Sequence, residues 1–189
     1  MATVVFGLAD LVGESSGDSA TFLRLLDGPL ALSWSHCSMT SDFIAEITAL
    51  RYRSLRQVYH QVRHDIGYVA NELIENAVKF RVSGEIGISA SIKGERFRMR
   101  VSNFIDNENA QRFQHLLAQI TNDNPSDLLI RQIEKNAALT FGTESGLGLL
   151  TLMSDYEADL AWTFDAKRPD GPTHLQTYAS LPIPSVQNG

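Results

Sequence analysis

The sequence predicts an α/β (α+β) two-layer sandwich, a mixed, largely antiparallel sheet with helices on one face. Three patterns carry this expectation: alternating apolar residues near both ends of the chain, a hairpin pattern at its centre, and long helical periodicity between them. With 189 residues, 43 % of them hydrophobic and 20 % charged, the chain can bury a full core without disulfides or metals. A second full domain has no room, so residues 1–189 read as one domain. The one cysteine, Cys37, cannot form an internal disulfide, and the N-terminus lacks the basic start, long apolar run and small-residue cleavage site of a secretory signal. A cytoplasmic location is the expectation. The apolar stretches fall far short of a membrane span, and a formal charge of −6 argues against nonspecific binding to nucleic acid or anionic membranes.

Thr3 to Leu8 reads as a short strand and Leu30 to Trp34 as a second, with Leu30, Leu32 and Trp34 on one face. Gly13-Glu14-Ser15-Ser16-Gly17-Asp18 between them is a loop. From Thr40 or Ser41, both suitable N-caps, apolar residues from Phe43 through Ile47, Leu50, Leu55, Val58, Val62, Ile66, Val69, Leu73 and Ala77 to Phe80 recur at spacings of three and four. One helix of that length is unusual in so small a domain, so a break is expected near Arg53-Ser54. Ile86, Ile88, Ala90 and Ile92 alternate, Gly94-Glu95 turns, and Phe97, Met99 and Val101 alternate again, which is a hairpin. Asn107 to Thr121 and Ser126 to Ala138 read as two short helices joined through Asn122-Asp123-Asn124-Pro125. A further helix follows the glycine-rich segment and runs to about Tyr156. Ala158 to Phe164 and Leu175 to Leu181 return to strand around the turn Arg168-Pro169-Asp170-Gly171-Pro172.

Two segments carry chemistry. In Asn71-Glu72-Leu73-Ile74-Glu75-Asn76-Ala77-Val78-Lys79 a carboxylate and a carboxamide stand four residues apart, so Glu72 and Asn76 share one helix face and can approach the same metal and phosphate group. A hard cation such as Mg2+ takes one or two such oxygens from protein and the rest from phosphate and water. About seventy residues later, in Gly142-Thr143-Glu144-Ser145-Gly146-Leu147-Gly148, the glycines let the backbone approach a ligand closely, and the helix that opens there offers N–H groups and a positive dipole end to phosphate oxygens. Neither segment is specific alone: a Glu and an Asn on an amphipathic helix are usually a solvated face.

In order and spacing the two segments resemble the GHKL superfamily of ATP-binding proteins, which includes gyrase, histidine kinases, mismatch-repair ATPases and bacterial anti-sigma kinases. Glu72 and Asn76 match its E-x-x-x-N box, and Ser145-Gly146-Leu147-Gly148 matches its shortened glycine motif. The resemblance covers roughly residues 40–182, leaving 1–39 as N-terminal strands. It implies the Bergerat-type fold, ATP and Mg2+ as ligands, and a helical ATP lid over 104–145. The nucleotide contacts it implies are Asn76, Lys79, Asn103, Gly142, Thr143, Ser145, Gly146, Leu147 and Gly148, with Asn76 the metal ligand and Glu72 the catalytic base. Lys79 reads equally as a phosphate contact, as in histidine kinases, or as an exposed lysine at a helix end.

One position departs from the pattern. The family ends the strand after its Glu-Asn box with an Asp that accepts from the adenine amino group, and a G-x-G follows; here Val101-Ser102-Asn103-Phe104-Ile105-Asp106 has Asn103 in that place and no glycine. Asn can still accept from an amino group and donate to a ring nitrogen, without charge assistance worth on the order of 1 kcal/mol. Asp106 substitutes if the strand runs three residues longer, and a third reading has Asn103 merely capping a turn.

The Asn, the helical lid and the Ser-Gly-Leu-Gly-Leu loop are similar to small bacterial switch kinases of the SiaB and anti-sigma factor type. That similarity implies a partner-switching serine/threonine kinase acting on a STAS-like partner, with a homodimer as a possible assembly. The competing reading is a degenerate module that sequesters its partner without catalysis. A motor ATPase of gyrase or mismatch-repair type would carry a transducer domain absent here, and a full histidine kinase would need its phosphoacceptor on a separate helix, whereas His64 lies only twelve residues before Asn76. His60 and His64 have chelating i, i+4 spacing but no further ligand nearby. Arg53, Arg56, His60 and Arg63 form a basic stripe that is either solvated or docks an acidic partner.

Overall fold

The computed structural model describes residues 3–13, 20–26, 34–138, 147–168 and 171–185. Six strands form one sheet: β1 (Val4–Gly7), β2 (Thr21–Leu26), β3 (Glu85–Lys93), β4 (Arg96–Ile105), β5 (Asp159–Ala166) and β6 (Thr173–Pro182), in the order β1-β5-β6-β4-β3-β2. Every pairing between them is antiparallel, so the largely antiparallel sheet of the expected two-layer α+β sandwich is here antiparallel throughout. The β3–β4 hairpin turns at Gly94, whose φ of +60° suits a residue without Cβ.

Burial along β4 shows how the layers meet. Phe97, Met99, Val101, Asn103 and Ile105 are buried, whereas Arg96, Arg98, Arg100, Ser102 and Phe104 alternate with them and remain partly exposed. Across the sheet the same inner face continues through Leu175 and Ala179 of β6, Leu160, Trp162 and Phe164 of β5, and Ile86, Ile88 and Ala90 of β3. Asn103 is the polar exception in its row.

Against that face pack α1 (Trp34–Ala49) and α2 (Arg56–Phe80), separated by a 3-10 turn at Leu50–Tyr52, so the break falls where the sequence places it. Tyr52 is fully buried and anchors the turn by donating its hydroxyl to the Pro184 carbonyl at 2.6 Å. The two helices form an antiparallel hairpin. Gly67 faces the Ala45 methyl, and Glu46 accepts from the Tyr59 hydroxyl at 2.6 Å and from Arg63 at 2.8 Å. Val62, Ile66, Val69, Ala70, Leu73, Ile74, Ala77 and Val78 form the buried stripe of α2, each large side chain contributing about 1.5–3 kcal/mol of burial.

Two expectations near the N-terminus fail. Leu30–Ser33 lie outside the described residues, Trp34 opens α1 instead of ending a strand, and the second strand is Thr21–Leu26. Thr40 and Ser41 are therefore inside α1 rather than capping it. Their hydroxyls donate back to the carbonyls of His36 and Ser38, at 2.6 and 2.9 Å, which lets polar residues sit in a helix interior.

After β4 come α3 (Asn107–Ile120) and α4 (Pro125–Ala138), then α5 (Leu147–Ser154). α3 lies against β1, with the Phe113 ring edge-on to Trp162 and Phe164 of β5, and α4 packs on α5. The helical part of the expected lid begins only at Asn107, because β4 continues through Ile105. No helix among the described residues is long and apolar enough to cross a membrane.

Candidate functional site

A cavity of about 380 Å³ opens between the C-terminal half of α2, α3, the start of α5 and the inner face of the sheet. Glu72, Asn76, Lys79, Asn103 and Gly148 all line it. These residues come from three parts of the sequence, and the fold brings them to one wall. Leu147 begins α5 and packs on the core beside them. Gly142, Thr143, Ser145 and Gly146 lie outside the described residues.

Helical spacing puts Glu72 and Asn76 one turn apart on the cavity face of α2, while Leu73 and Ala77 beside them point into the core. The Asn76 side chain makes no hydrogen bond to any described residue, so its carboxamide oxygen is available to a ligand. Glu72 is half-buried, and burial is the main reason its carboxyl is held above the usual carboxylate range. The nearby charge of Glu75 raises it further, and a hydrogen bond from the Tyr68 hydroxyl opposes both. Tyr68 in turn accepts from Thr151 on α5, and its ring stacks on Tyr156 with centroids 4.7 Å apart. Glu75 is engaged elsewhere, accepting from Asn71 at 2.8 Å.

Gly148 packs directly on Glu72. A Cβ there would lie 1.8 Å from Glu72 Oε2 and 2.7 Å from its Cδ, so the carboxylate occupies the space a side chain would need. Gly148 is the second residue of α5, and with Leu149 it brings the start of that helix to the same wall.

Asn103 neither caps a turn nor stands at a strand end. It is 3 % exposed on the inner face of β4, and its Nδ2 lies 3.4 Å from the Ala77 carbonyl of α2. Because a carbonyl only accepts, the amide nitrogen must face it, which leaves Oδ1 as a pure acceptor. Asp106 cannot take over the family's Asp role. It is exposed and serves as the N-cap of α3, accepting from the Asn109 backbone N–H at 2.7 Å and from Asn109 Nδ2 at 2.9 Å.

Lys79 reaches the cavity from an exposed position, its ammonium 4.9 Å from the centroid of the Phe80 ring. The opposite wall carries no motif that marks it in the sequence. Asn109, Arg112, Phe113 and Leu116 of α3, with Trp162 and Thr177 of the sheet, complete it. In the sequence these residues read as one face of an amphipathic helix and two strand alternations, patterns that core and cavity share.

The remaining candidates lie elsewhere. His64 contacts Asp65 at 3.2 Å and stacks on Tyr156, His60 meets the Tyr59 ring edge-on, and no group of three His, Cys, Asp or Glu among the described residues could hold a metal ion. The basic stripe is divided: Arg63 pairs with Glu46 and Asp42, while Arg53 and Arg56 have no ion pair among the described residues.

No protein-family model matches the chain, and no curated protein matches it in sequence. Among solved structures, one chain of the crystal structure of the SiaB-SiaC complex from Pseudomonas aeruginosa matches with a TM-score of 0.59 and 17 % identity, over 84 % of this chain and 89 % of that one. The likeness is one of fold.

Proposed function

We propose that the chain is an ATP-dependent serine/threonine protein kinase that works as a bacterial partner-switching regulator, with a STAS-like protein as phosphoacceptor. One observation carries the proposal: Glu72, Asn76, Lys79, Asn103 and Gly148, singled out from separate sequence motifs, line a single cavity. A fold shared with a chain from a complex of two proteins supports a protein as the substrate. In this reading the acceptor hydroxyl oxygen attacks the γ-phosphorus of ATP, the bond to the β-phosphate oxygen breaks, and ADP leaves. Glu72 takes the hydroxyl proton, a task for which its desolvated, more basic carboxylate suits it. Asn76 is the residue that would hold Mg2+, which when bound neutralises phosphate charge. In this reading Lys79, Arg112 and the start of α5 at Gly148 and Leu149, all lining the cavity, face the anionic end of the nucleotide.

The alternative is a module that binds and sequesters its partner without catalysis, favoured by Asn103 where the family carries an Asp. Labelled ATP, Mg2+ and a STAS-domain protein encoded beside this chain decide between them. Label on a partner serine or threonine supports the kinase. A complex that forms without any label supports the module.

A further inference from the structure

Trp162 lies on the inner face of β5, opposite Thr177 of β6, and both line the cavity. Its ring is fully buried, and Nε1 has no hydrogen-bond acceptor among the described residues. The other buried side-chain nitrogens without a partner, Arg81 Nε and Arg98 Nε, belong to guanidinium groups with further N–H donors, and Arg81 Nη1 donates to the Val78 carbonyl at 2.5 Å. An indole has a single N–H. Among the described residues the whole polar capacity of the Trp162 side chain is therefore unmet, whereas buried donors are nearly always paired. A phenylalanine would fill the wall beside Phe113, whose ring stands edge-on at 6.2 Å, without leaving a donor unsatisfied.

Asn103 supplies the complementary group, since its Nδ2 is turned to Ala77 and its Oδ1 remains an acceptor at the same cavity. Adenine presents an amino donor beside a ring-nitrogen acceptor, whereas guanine presents an oxygen acceptor in place of the amino group. We propose that Trp162 is a specificity-determining residue: its indole N–H donates to an adenine ring nitrogen of the bound nucleotide while Asn103 Oδ1 accepts from the adenine amino group. This inference rests on the ATP-site reading above. Guanine would set its oxygen against Asn103 Oδ1, acceptor against acceptor, so the pair selects ATP over GTP.

Calorimetry with the magnesium complexes of ATP, GTP, 1-deaza-, 3-deaza- and 7-deaza-ATP, on the unmodified protein and on Trp162→Phe, tests the assignment. One deaza analogue binds the unmodified protein about tenfold more weakly than ATP, the scale of one hydrogen bond. Trp162→Phe loses the same factor for ATP and nothing further for that analogue. Unchanged ATP affinity in Trp162→Phe, or losses that add for every analogue, overturns the role of Trp162. A second readout does not depend on the stability of that variant. The chain has two tryptophans, so Trp34→Phe leaves Trp162 as the sole emitter; ATP shifts its emission and the matching analogue does not. An identical shift with all analogues overturns the proposal. Failure of every nucleotide to bind the unmodified protein would instead overturn the ATP site itself.

Discussion

Gly148→Ala puts a methyl group where the Glu72 carboxylate already sits. The new Cβ would lie 1.8 Å from Oε2 and 2.7 Å from Cδ, while non-bonded carbons settle at about 3.5–4.0 Å, so the carboxylate must retreat by about 1.5 Å. The backbone at this position is not left-handed and accepts alanine without strain. The atoms that must yield are the end of a flexible side chain, so the overpacking cost stays at about 1–3 kcal/mol, offset by up to ~1 kcal/mol from the better helix propensity of alanine. Catalysis tolerates far less, because misplacing a reacting group by about 1 Å costs on the order of a hundredfold. The expected result is a protein whose Tm falls by no more than about 8 °C and whose phosphotransfer to the partner, measured with labelled ATP at saturation, falls about a hundredfold or more. A folded Gly148→Ala protein that transfers phosphate at the unmodified rate would show that the position of Glu72 does not matter to the reaction.

Glu72→Gln keeps size and hydrogen bonding but cannot take a proton, so phosphotransfer drops about a hundredfold while ATP and partner affinities stay within a few fold, as kinetics and calorimetry would record. Unchanged phosphotransfer in this variant would remove Glu72 as the base. Burial and then Glu75 hold the folded-state pKa of Glu72 above its unfolded value, so its contribution to stability is fully present below the unfolded pKa and lost as pH rises through the folded one. Thermal unfolding of Glu72→Gln against the unmodified protein should therefore show a stability gain that grows as pH rises. The acidic limb of the pH–rate profile should lie above the ordinary carboxylate range, since protonated Glu72 is inactive, and Tyr68→Phe should move it higher by removing an opposing hydrogen bond. Asn76→Ala should weaken ATP binding in Mg2+ and leave binding in EDTA unchanged; equal weakening in both would deny the residue its metal role.

Most of the fold was legible where one period dominates. The buried stripe of α2 repeats at three and four, and apolar residues alternate in β4 from Phe97 through Met99 to Val101, so both follow from apolar spacing. β2 was not legible because its faces are alike: Leu23 and Leu25 turn to the core, while Phe22 and Leu26 are exposed with Arg24 on the other side of an edge strand. The start of α1 was hidden by the weak helix formers Ser35, Ser38, Thr40 and Ser41, and the back-bonding of Thr40 and Ser41 shows only in coordinates. At the site, Glu72, Asn76 and Gly148 stood out because a ligand wall needs those residue types. Trp162 and Phe113 did not, since an aromatic residue on an apolar face reads as core until the fold puts a cavity beside it.

Asn103 looked like a defect in the motif, and its surroundings give a physical reason for the change. The side chain is buried, and one of its two terminal atoms lies 3.4 Å from the Ala77 carbonyl. A carboxylate in that place would set acceptor against acceptor at the end of α2, and one of its oxygens would be left without a donor, a cost of about 1–3 kcal/mol before any charge is counted. The amide satisfies the helix carbonyl with its nitrogen and still offers an oxygen to the cavity. The join between α2 and β4 and the acceptor facing the ligand are thus made by one residue, and only a side chain with a donor at one end and an acceptor at the other can do both. The negative charge of a carboxylate is given up there, and in the proposed site the base edge meets neutral groups, Asn103 Oδ1 from β4 and the Trp162 N–H from β5, while Lys79 and Arg112 line the same cavity from α2 and α3. On the proposed reading, recognition of the base moves from one ionised group to two neutral ones on separate strands. That distribution escapes a motif search along the chain, and α3, whose residues line the cavity over the sheet, belongs to the proposed site.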